Sequence, residues 1–228
     1  MIILLNGRWL FPVGIVAFGI QNIFYTGYVQ GLELTPEWAP WHTFWAYLDG
    51  VLLIAGGVGI AMRQRWGATI VGLVYFASVL LVRIPRIGLS VHDISERTVL
   101  LEPLVIGCAA FVLTGIKGPW RTLIGGSMVV FGIDHLEVPR FIATLIPAWI
   151  PARLFWAWFT GFAFIAAGLS IMTRWKLRLG AGLLGLMFFL WVLLVHAPQI
   201  AASPHNGNEW NSGFVALAMC GAAWILTE

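Results

Sequence analysis

Charged residues are scarce in this chain. They make up 10% of its 228 residues, whereas 60% of the residues are hydrophobic. A soluble domain of ordinary composition carries about 25% charged residues. So little charge excludes a sizeable water-soluble domain and predicts an integral membrane protein that is surrounded mainly by lipid.

Cysteines and catalytic motifs are also few. Cys108 and Cys220 lie inside apolar runs and form no C-x-x-C pair, so we interpret them as small buried residues rather than as a thiol redox site. The sequence has no P-loop, no H-E-x-x-H and no G-x-S-x-G. Catalysis by this chain alone is not expected, and a redox role would need a partner that carries a flavin, haem or iron–sulfur centre.

The basic residues are spread over short segments between apolar runs, and the net charge is only +3. This distribution excludes a nucleic-acid-binding surface. It instead predicts orientation, because cytoplasmic segments of membrane proteins carry an excess of Lys and Arg. With the N-terminus inside, eight basic residues fall in inner segments and five in outer ones. We therefore predict a multi-pass protein of the cell (inner) membrane with both termini in the cytoplasm.

Apolar runs of about 20 residues, long enough to cross a bilayer, recur along the whole chain. Charged residues, Pro and Gly divide them into predicted spans at 9–28, 42–62, 66–84, 98–115, 121–138, 152–173, 178–196 and 210–227. The runs lack the alternation of barrel strands, so the expected fold is all-α with eight transmembrane helices.

The second half of the sequence repeats the first at an offset of 113 residues. Two pairs of matching segments are 83–97 with 196–210, and 65–85 with 178–198. Each unit holds four predicted spans, and an even number makes both units point the same way in the membrane. The chain is thus predicted to form two parallel-repeat four-helix bundles, residues 1–117 and 118–228.

One polar segment that recurs is the loop before the fourth helix of each unit. Pro85 and Pro198 are expected to end the third helix. The polar residues that follow are expected to cap the fourth helix. They are Ser90, His92 and Glu96 in the first unit, and Ser203, His205 and Glu209 in the second.

The sequence of the unit resembles a known family. FG..H is followed by FW....G.....A.GL, then R.GA.LLGL.....V...H.P, then NEW........ALAMCGAAWIL. This order resembles the DoxX-like integral membrane proteins, in which a typical member is one four-helix unit. The chain is similar to two such units fused in tandem. The resemblance implies membrane redox work, as in the quinone-reducing thiosulfate oxidoreductases. The first half departs from the pattern at Asn22 and Arg83, where the second half has His135 and His196.

Ionisable residues inside the second predicted unit are the first candidate site. Such residues are costly in lipid and usually face a protein interior or a cavity. Asp134, His135, Glu137 and His196 lie toward the outer ends of their spans. A histidine can donate to a quinone oxygen while an acid relays the proton, so these four residues are candidates for a quinone site in the outer leaflet. Alternatively, His135 caps or pairs with a neighbouring helix.

Metal and haem sites receive less support from the same residues. The spacing D-H-x-E is not a known ligand pattern, so no metal site is predicted. A haem held by His135 and His196 is geometrically conceivable, but such a site also needs small facing residues and dedicated partners.

The first predicted unit carries a different polar set, Asp49, Arg83 and Glu102. The simplest interpretation is an ion pair between Arg83 and a carboxylate at the outer interface. The alternative is that Arg83 binds an oxyanion, such as a sulfur oxyacid, through two parallel hydrogen bonds.

Three functions remain open from sequence. The leading hypothesis is an accessory or quinone-handling subunit of a membrane redox or energy-converting complex. Its partners would be membrane lipids and other membrane subunits of a redox or photosynthetic complex. The alternatives are a carrier of a small molecule, lipid or quinone, and a purely structural scaffold subunit of a larger membrane complex.

Overall fold

The computed structural model describes residues 7–27, 35, 39–88 and 92–228. These residues form helices joined by short irregular segments, and they contain no strand. The helices are α1 (Gly7–Phe24), α2 (His42–Ala61), α3 (Arg65–Ser78), α4 (Ile84–Ile87), α5 (Ile94–Thr114), α6 (Trp120–Glu137), α7 (Pro139–Leu145), α8 (Arg153–Thr173), α9 (Leu177–Trp191), α10 (Ala197–Ala202) and α11 (Gly207–Ile225). The predicted all-helical fold is confirmed for the described residues.

Several helices are long and apolar enough to cross a membrane, which supports the prediction of a membrane protein. Five qualify by length and composition: His42–Ala61, Arg65–Ile87, Ile94–Thr114, Arg153–Thr173 and Leu177–Ala202. Helices α1, α6 and α11 lie at the other three predicted spans. They are more polar than these five because residues such as Arg8, Glu137 and Glu209 lie near their ends.

The third and seventh predicted spans each contain a five-residue π-helical segment, Val79–Arg83 and Val192–His196. The N–H groups that follow the segments, those of residues 84 and 197, donate to the carbonyls five residues earlier. The two segments are 113 residues apart and share the sequence VLLV. A π-helical segment inside a long helix often marks a functional site.

The prediction that Pro85 and Pro198 end these helices is wrong. Each proline lies just beyond the π-helical segment, and the helix continues to Ile87 or Ala202. Proline cannot donate to the carbonyl four residues earlier, and that carbonyl lies inside the π-helical segment in both cases. The missing donor favours the wider hydrogen-bond register without ending the helix.

The caps of α5 and α11 differ from those expected. The side chain of Asp93 accepts a hydrogen bond from the N–H of Ser95 at 2.8 Å, and that of Asn206 accepts one from Asn208 at 3.0 Å. Of the residues predicted to cap, Ser90 lies outside the described residues. The sequence signal for the true caps was the pattern Asp/Asn-x-x-Glu, which begins at Asp93 and at Asn206 and is typical of a helix N-terminus.

The long helices pack as a closed ring that follows chain order. Neighbouring pairs are α1–α2, α2–α3, α3–α5, α5–α6, α6–α8, α8–α9, α9–α11 and α11–α1. Helices α5 and α11 also pack against each other across the ring. Helices from residues 1–117 and 118–228 are therefore in direct contact through α5–α6, α11–α1 and α5–α11.

The outer surface of the ring is apolar. On α8, the side chains of Phe155, Phe159 and Phe162 are each more than half exposed, and on α9 the same holds for Leu179 and Leu183. An exposed apolar surface of this kind is suited to contact with lipid tails rather than with water.

Short turns join α2 to α3, α5 to α6 and α8 to α9, so the two helices of each of these pairs run antiparallel and the ring has two distinct ends. We call the end at which α1 and α6 finish and α5 and α11 begin the polar end. The opposite end, where the turns α2–α3, α5–α6 and α8–α9 lie, is called the basic end because those turns carry Arg and Lys without a carboxylate.

Candidate functional site

An ion-pair cluster with one deeply buried carboxylate joins α5 to α6 at the polar end. A guanidinium nitrogen of Arg97 lies 2.6 Å from a carboxylate oxygen of Asp134 and 2.6 Å from one of Glu137. Asp134 is only 3% exposed. A carboxylate buried to this degree requires a cation beside it. The structure thus brings Asp134 and Glu137 together on an arginine that sequence analysis had not placed in the site.

The polar residues of the first predicted unit fall into two pairs. Arg83 is 2% exposed at the end of its π-helical segment and interacts electrostatically with Glu102 on α5. Asp49 on α2 interacts with the buried Tyr75 on α3. That Arg83 forms an ion pair with a carboxylate stays a prediction, and Asp49 interacts with a tyrosine that sequence analysis did not consider.

His135 lies in an aromatic cluster between α6, α8 and α9. Its Nδ1 donates to the carbonyl oxygen of Phe131 at 2.8 Å. Its ring stacks on Trp191, with centroids 5.9 Å apart, and meets the edge of Phe164 at 5.1 Å. These contacts fix the ring and leave Nε2 as its remaining hydrogen-bonding atom. The ring contacts join α6 to α8 and α9, and the alternative that His135 caps or pairs with a neighbouring helix stays a prediction.

His196 has a different set of neighbours. It ends the second π-helical segment, and its Cβ faces Gly213 on α11, where an added side chain would meet it at 3.5 Å. Its Nδ1 is buried and has no hydrogen-bond partner in the part of the chain that the structure describes. That His135 and His196 share one ligand pocket stays a prediction.

A cleft of about 320 Å³ opens between the end of α1 and the start of α11, also at the polar end. Its walls are largely aromatic. The lining residues are Ile20, Gln21, Phe24, Tyr25, Pro204, His205, Trp210 and Phe214. The volume is at the lower end of the range for small-molecule sites. Neither His135 nor His196 lines this cleft.

Two polar side chains in the cleft can bind a ligand. Gln21 is 6% exposed, and its amide nitrogen donates to the carbonyl of Gly207 at 3.2 Å. Its amide oxygen is buried without a hydrogen-bond partner among the described residues. His205 also lines the cleft and is exposed. Gln21, which holds this unsatisfied acceptor, and His205 thus line one small space.

The aromatic walls of the cleft are held in place by local contacts. Trp210 donates its indole N–H to the carbonyl of Pro204 at 2.9 Å, and its ring lies 5.7 Å from that of Phe214. Tyr25 packs on Gly207, where an added Cβ would come within 2.9 Å of the tyrosine ring. Glycine at this position is what allows α1 and the start of α11 to meet.

Sequence reasoning missed Arg97 and Gln21 for different reasons. The sequence contained a signal for Arg97: it lies near the start of one span and Asp134 near the end of the next, and these two ends meet when neighbouring helices are antiparallel. Gln21 carried none, because its contact with Gly207 joins residues near opposite ends of the chain. His205 was interpreted as a helix cap rather than as a ligand contact.

Gly180–Gly185 has the sequence G-A-G-L-L-G, which is the spacing of a dinucleotide-binding loop. Such a loop must follow a strand and open a helix. Here the segment lies inside α9, and small residues in this setting let helices approach closely. The spacing therefore does not indicate a nucleotide site.

Comparison of the chain with known protein families, with curated proteins and with solved structures finds no match.

Proposed function

We propose that this protein is a quinone-binding subunit of a membrane redox or energy-converting complex, and that the quinone ring lies in the cleft between α1 and α11. The observation that carries the proposal is that Gln21, whose amide oxygen is buried without a partner among the described residues, lines an aromatic-walled cleft together with His205. A planar ring with oxygens at both ends fits that combination of polar and apolar groups.

The hydrogen-bonding capacity of the cleft matches both forms of such a ring. The imidazole of His205 can donate to a quinone carbonyl. The amide oxygen of Gln21 can accept only, so it suits the hydroxyl of a quinol. Phe24 is 76% exposed, so a lipid-soluble ligand could enter from the bilayer beside it.

The electrons for quinone chemistry would come from a partner subunit. Reduction of a quinone to a quinol takes two electrons and two protons, and a flavin, haem or iron–sulfur centre is the usual electron source. The apolar outer surface of α8 and α9 offers area for lipid or for other membrane subunits.

We further propose that the fold is a tandem duplication of a DoxX-like unit with eight spans in a parallel repeat. The 113-residue spacing supports it at two structural features: the π-helical segments, and the helix caps Asp93 and Asn206. The excess of basic residues at one end favours both termini in the cytoplasm, with the cleft toward the outer leaflet.

The test is quinone binding by the purified protein in mild detergent, measured by extraction of retained quinone and by titration with a quinone analogue. We expect His205→Leu and Gln21→Leu each to weaken binding about tenfold, since a lost hydrogen bond to a ligand costs about 1.4 kcal/mol.

Matched controls are His92→Leu and Gln64→Leu. His92 precedes His205 by 113 residues, and both control residues are exposed and lie outside the cleft. Equal losses in control and cleft variants would refute the site. A protein that retains a solute or lipid, but neither quinone nor a partner subunit, would point to a carrier instead.

A further inference from the structure

A second pocket lies at the basic end, where the turn between α5 and α6 meets the turn between α8 and α9. Its volume is about 350 Å³. Three cationic side chains line it, those of Lys117, Arg121 and Arg174, together with Thr122 and Trp120. The quinone cleft is at the opposite end of the ring, so this pocket is independent of the proposed function.

Among the described residues, no carboxylate in the lining balances the positive charge of this pocket. Within the described ranges, the ion pairs that the structure contains involve other cations. Three cations around one small space repel one another unless an anion lies between them.

The residue that matches Arg121 in the first half, Arg8, has a carboxylate partner. Arg8 precedes Arg121 by 113 residues, and its guanidinium forms an ion pair with the carboxylate of Glu228. The residue 113 positions before Glu228 is Gly115, which lines the pocket beside Arg121. A Cβ added at Gly115 would meet nothing within 4 Å. The space that a carboxylate side chain could occupy is therefore open at Gly115, beside Arg121.

The backbone adds to the attraction for an anion. Helix α6 begins at Trp120, beside the pocket, and no side chain caps its first N–H groups. The N-terminus of an 18-residue helix carries a partial positive charge and free N–H donors. The indole of Trp120 donates to the carbonyl of Ile116 at 2.8 Å and stacks on Phe111, so the turn that carries Lys117 is held in place.

We propose that this pocket binds the phosphate group of an anionic phospholipid headgroup. Phosphate chemistry follows from the three cations and the helix N-terminus. The lipid is favoured as its source because the pocket lies at the ends of the apolar helices α5 and α8, where headgroups of a bilayer are found. Ile116 beside the pocket and Trp175 next to Arg174 are exposed and offer contact to the acyl chain and the interface.

The experiment is native mass spectrometry of the full chain, purified in mild detergent and titrated with phosphatidylglycerol, with phosphatidylcholine as the neutral lipid. The test variant is Lys117→Gln/Arg121→Gln. The matched control is Arg63→Gln/Arg65→Gln, which removes the same charge from the basic end but outside the pocket. We expect one phosphatidylglycerol per chain, and about fivefold weaker binding for each pocket cation removed.

A second variant keeps the basic residues and fills the site. Thr122→Glu places a carboxylate in the lining of the pocket, and we expect it to displace the lipid without loss of folded protein. Binding that falls equally in the control variant would overturn the proposal. The proposal would also be overturned if the protein bound inorganic phosphate at this pocket and retained no lipid, since the ligand would then be the free anion.

Discussion

Ion pairs in this protein differ in how much their loss would destabilise the fold, according to how deeply they are buried. Arg97 and Asp134 are both largely buried, with side chains 18% and 5% exposed. A guanidinium nitrogen of Arg86 lies 2.9 Å from a carboxylate oxygen of Glu96, also at the polar end, but the two side chains are 40% and 25% exposed. A buried pair is costly to break, because the remaining charge is left in a low dielectric, whereas an exposed pair contributes little.

We expect the single substitution Arg97→Met to lower the free energy of unfolding by about 3–5 kcal/mol. The reason is that Asp134 would remain buried without a cation. Arg86→Met should cost less than about 1 kcal/mol. Unfolding in mixed micelles with increasing SDS measures both changes.

A double variant separates charge from packing. Arg97→Met/Asp134→Leu removes both charges, and apolar replacement of a buried pair is often neutral, so most of the lost stability should return. If the double variant is as unstable as the single one, the role of Arg97 is packing rather than neutralisation of Asp134.

Among the helices, glycine determines how closely two neighbours approach. A Cβ added at Gly221 on α11 would lie 2.3 Å from the backbone nitrogen of Phe11 on α1. The same addition at Gly126 on α6 would meet nothing within 4 Å. Close backbone contact of this kind replaces the hydrophobic effect, which does not drive association of helices in lipid.

We therefore expect Gly221→Ala to reduce the free energy of unfolding by about 1–3 kcal/mol, because α1 and α11 must separate. Gly126→Ala should change it by less than about 1 kcal/mol, in the stabilising direction, because alanine is the better helix former. Thermal unfolding in detergent compares the two. A larger loss for Gly126→Ala would contradict the packing of α1 on α11.

Over the whole molecule, the contact of α1 with α11 closes the ring and brings the two ends of the described chain together. Arg8 at the start of α1 pairs with Glu228, the last residue. Both ends therefore lie at the basic end, whichever side of the membrane that end faces.

We expect the basic end to face the cytoplasm, because segments rich in Lys and Arg are retained there. Green fluorescent protein fused after Glu228 should fluoresce in cells, and alkaline phosphatase at the same position should be inactive. The reverse result would place the cleft between α1 and α11 on the cytoplasmic side and the proposed lipid pocket on the outside.

Local features of this fold could be predicted from sequence. The predicted span 42–62 corresponds to α2 (His42–Ala61), and the predicted span 152–173 corresponds to α8 (Arg153–Thr173). These spans could be predicted because the length of an apolar run and the charges at its ends are local properties of the sequence. The π-helical segments were not predicted. Proline alone does not produce them, since Pro12 and Pro103 lie inside α1 and α5 without one.

The sequence by itself determined that the described residues are helical, where the long helices lie, and that several are apolar enough to cross a membrane, because lipid leaves a long apolar chain few other ways to satisfy its backbone. Only the tertiary structure decided which polar groups meet. Arg97 pairs with Asp134 and Gln21 donates to Gly207 across different elements, and Lys117 and Arg174 from different turns line one pocket. Which face of a helix turns toward a neighbour depends on packing between helices, and that packing is a property of the whole ring.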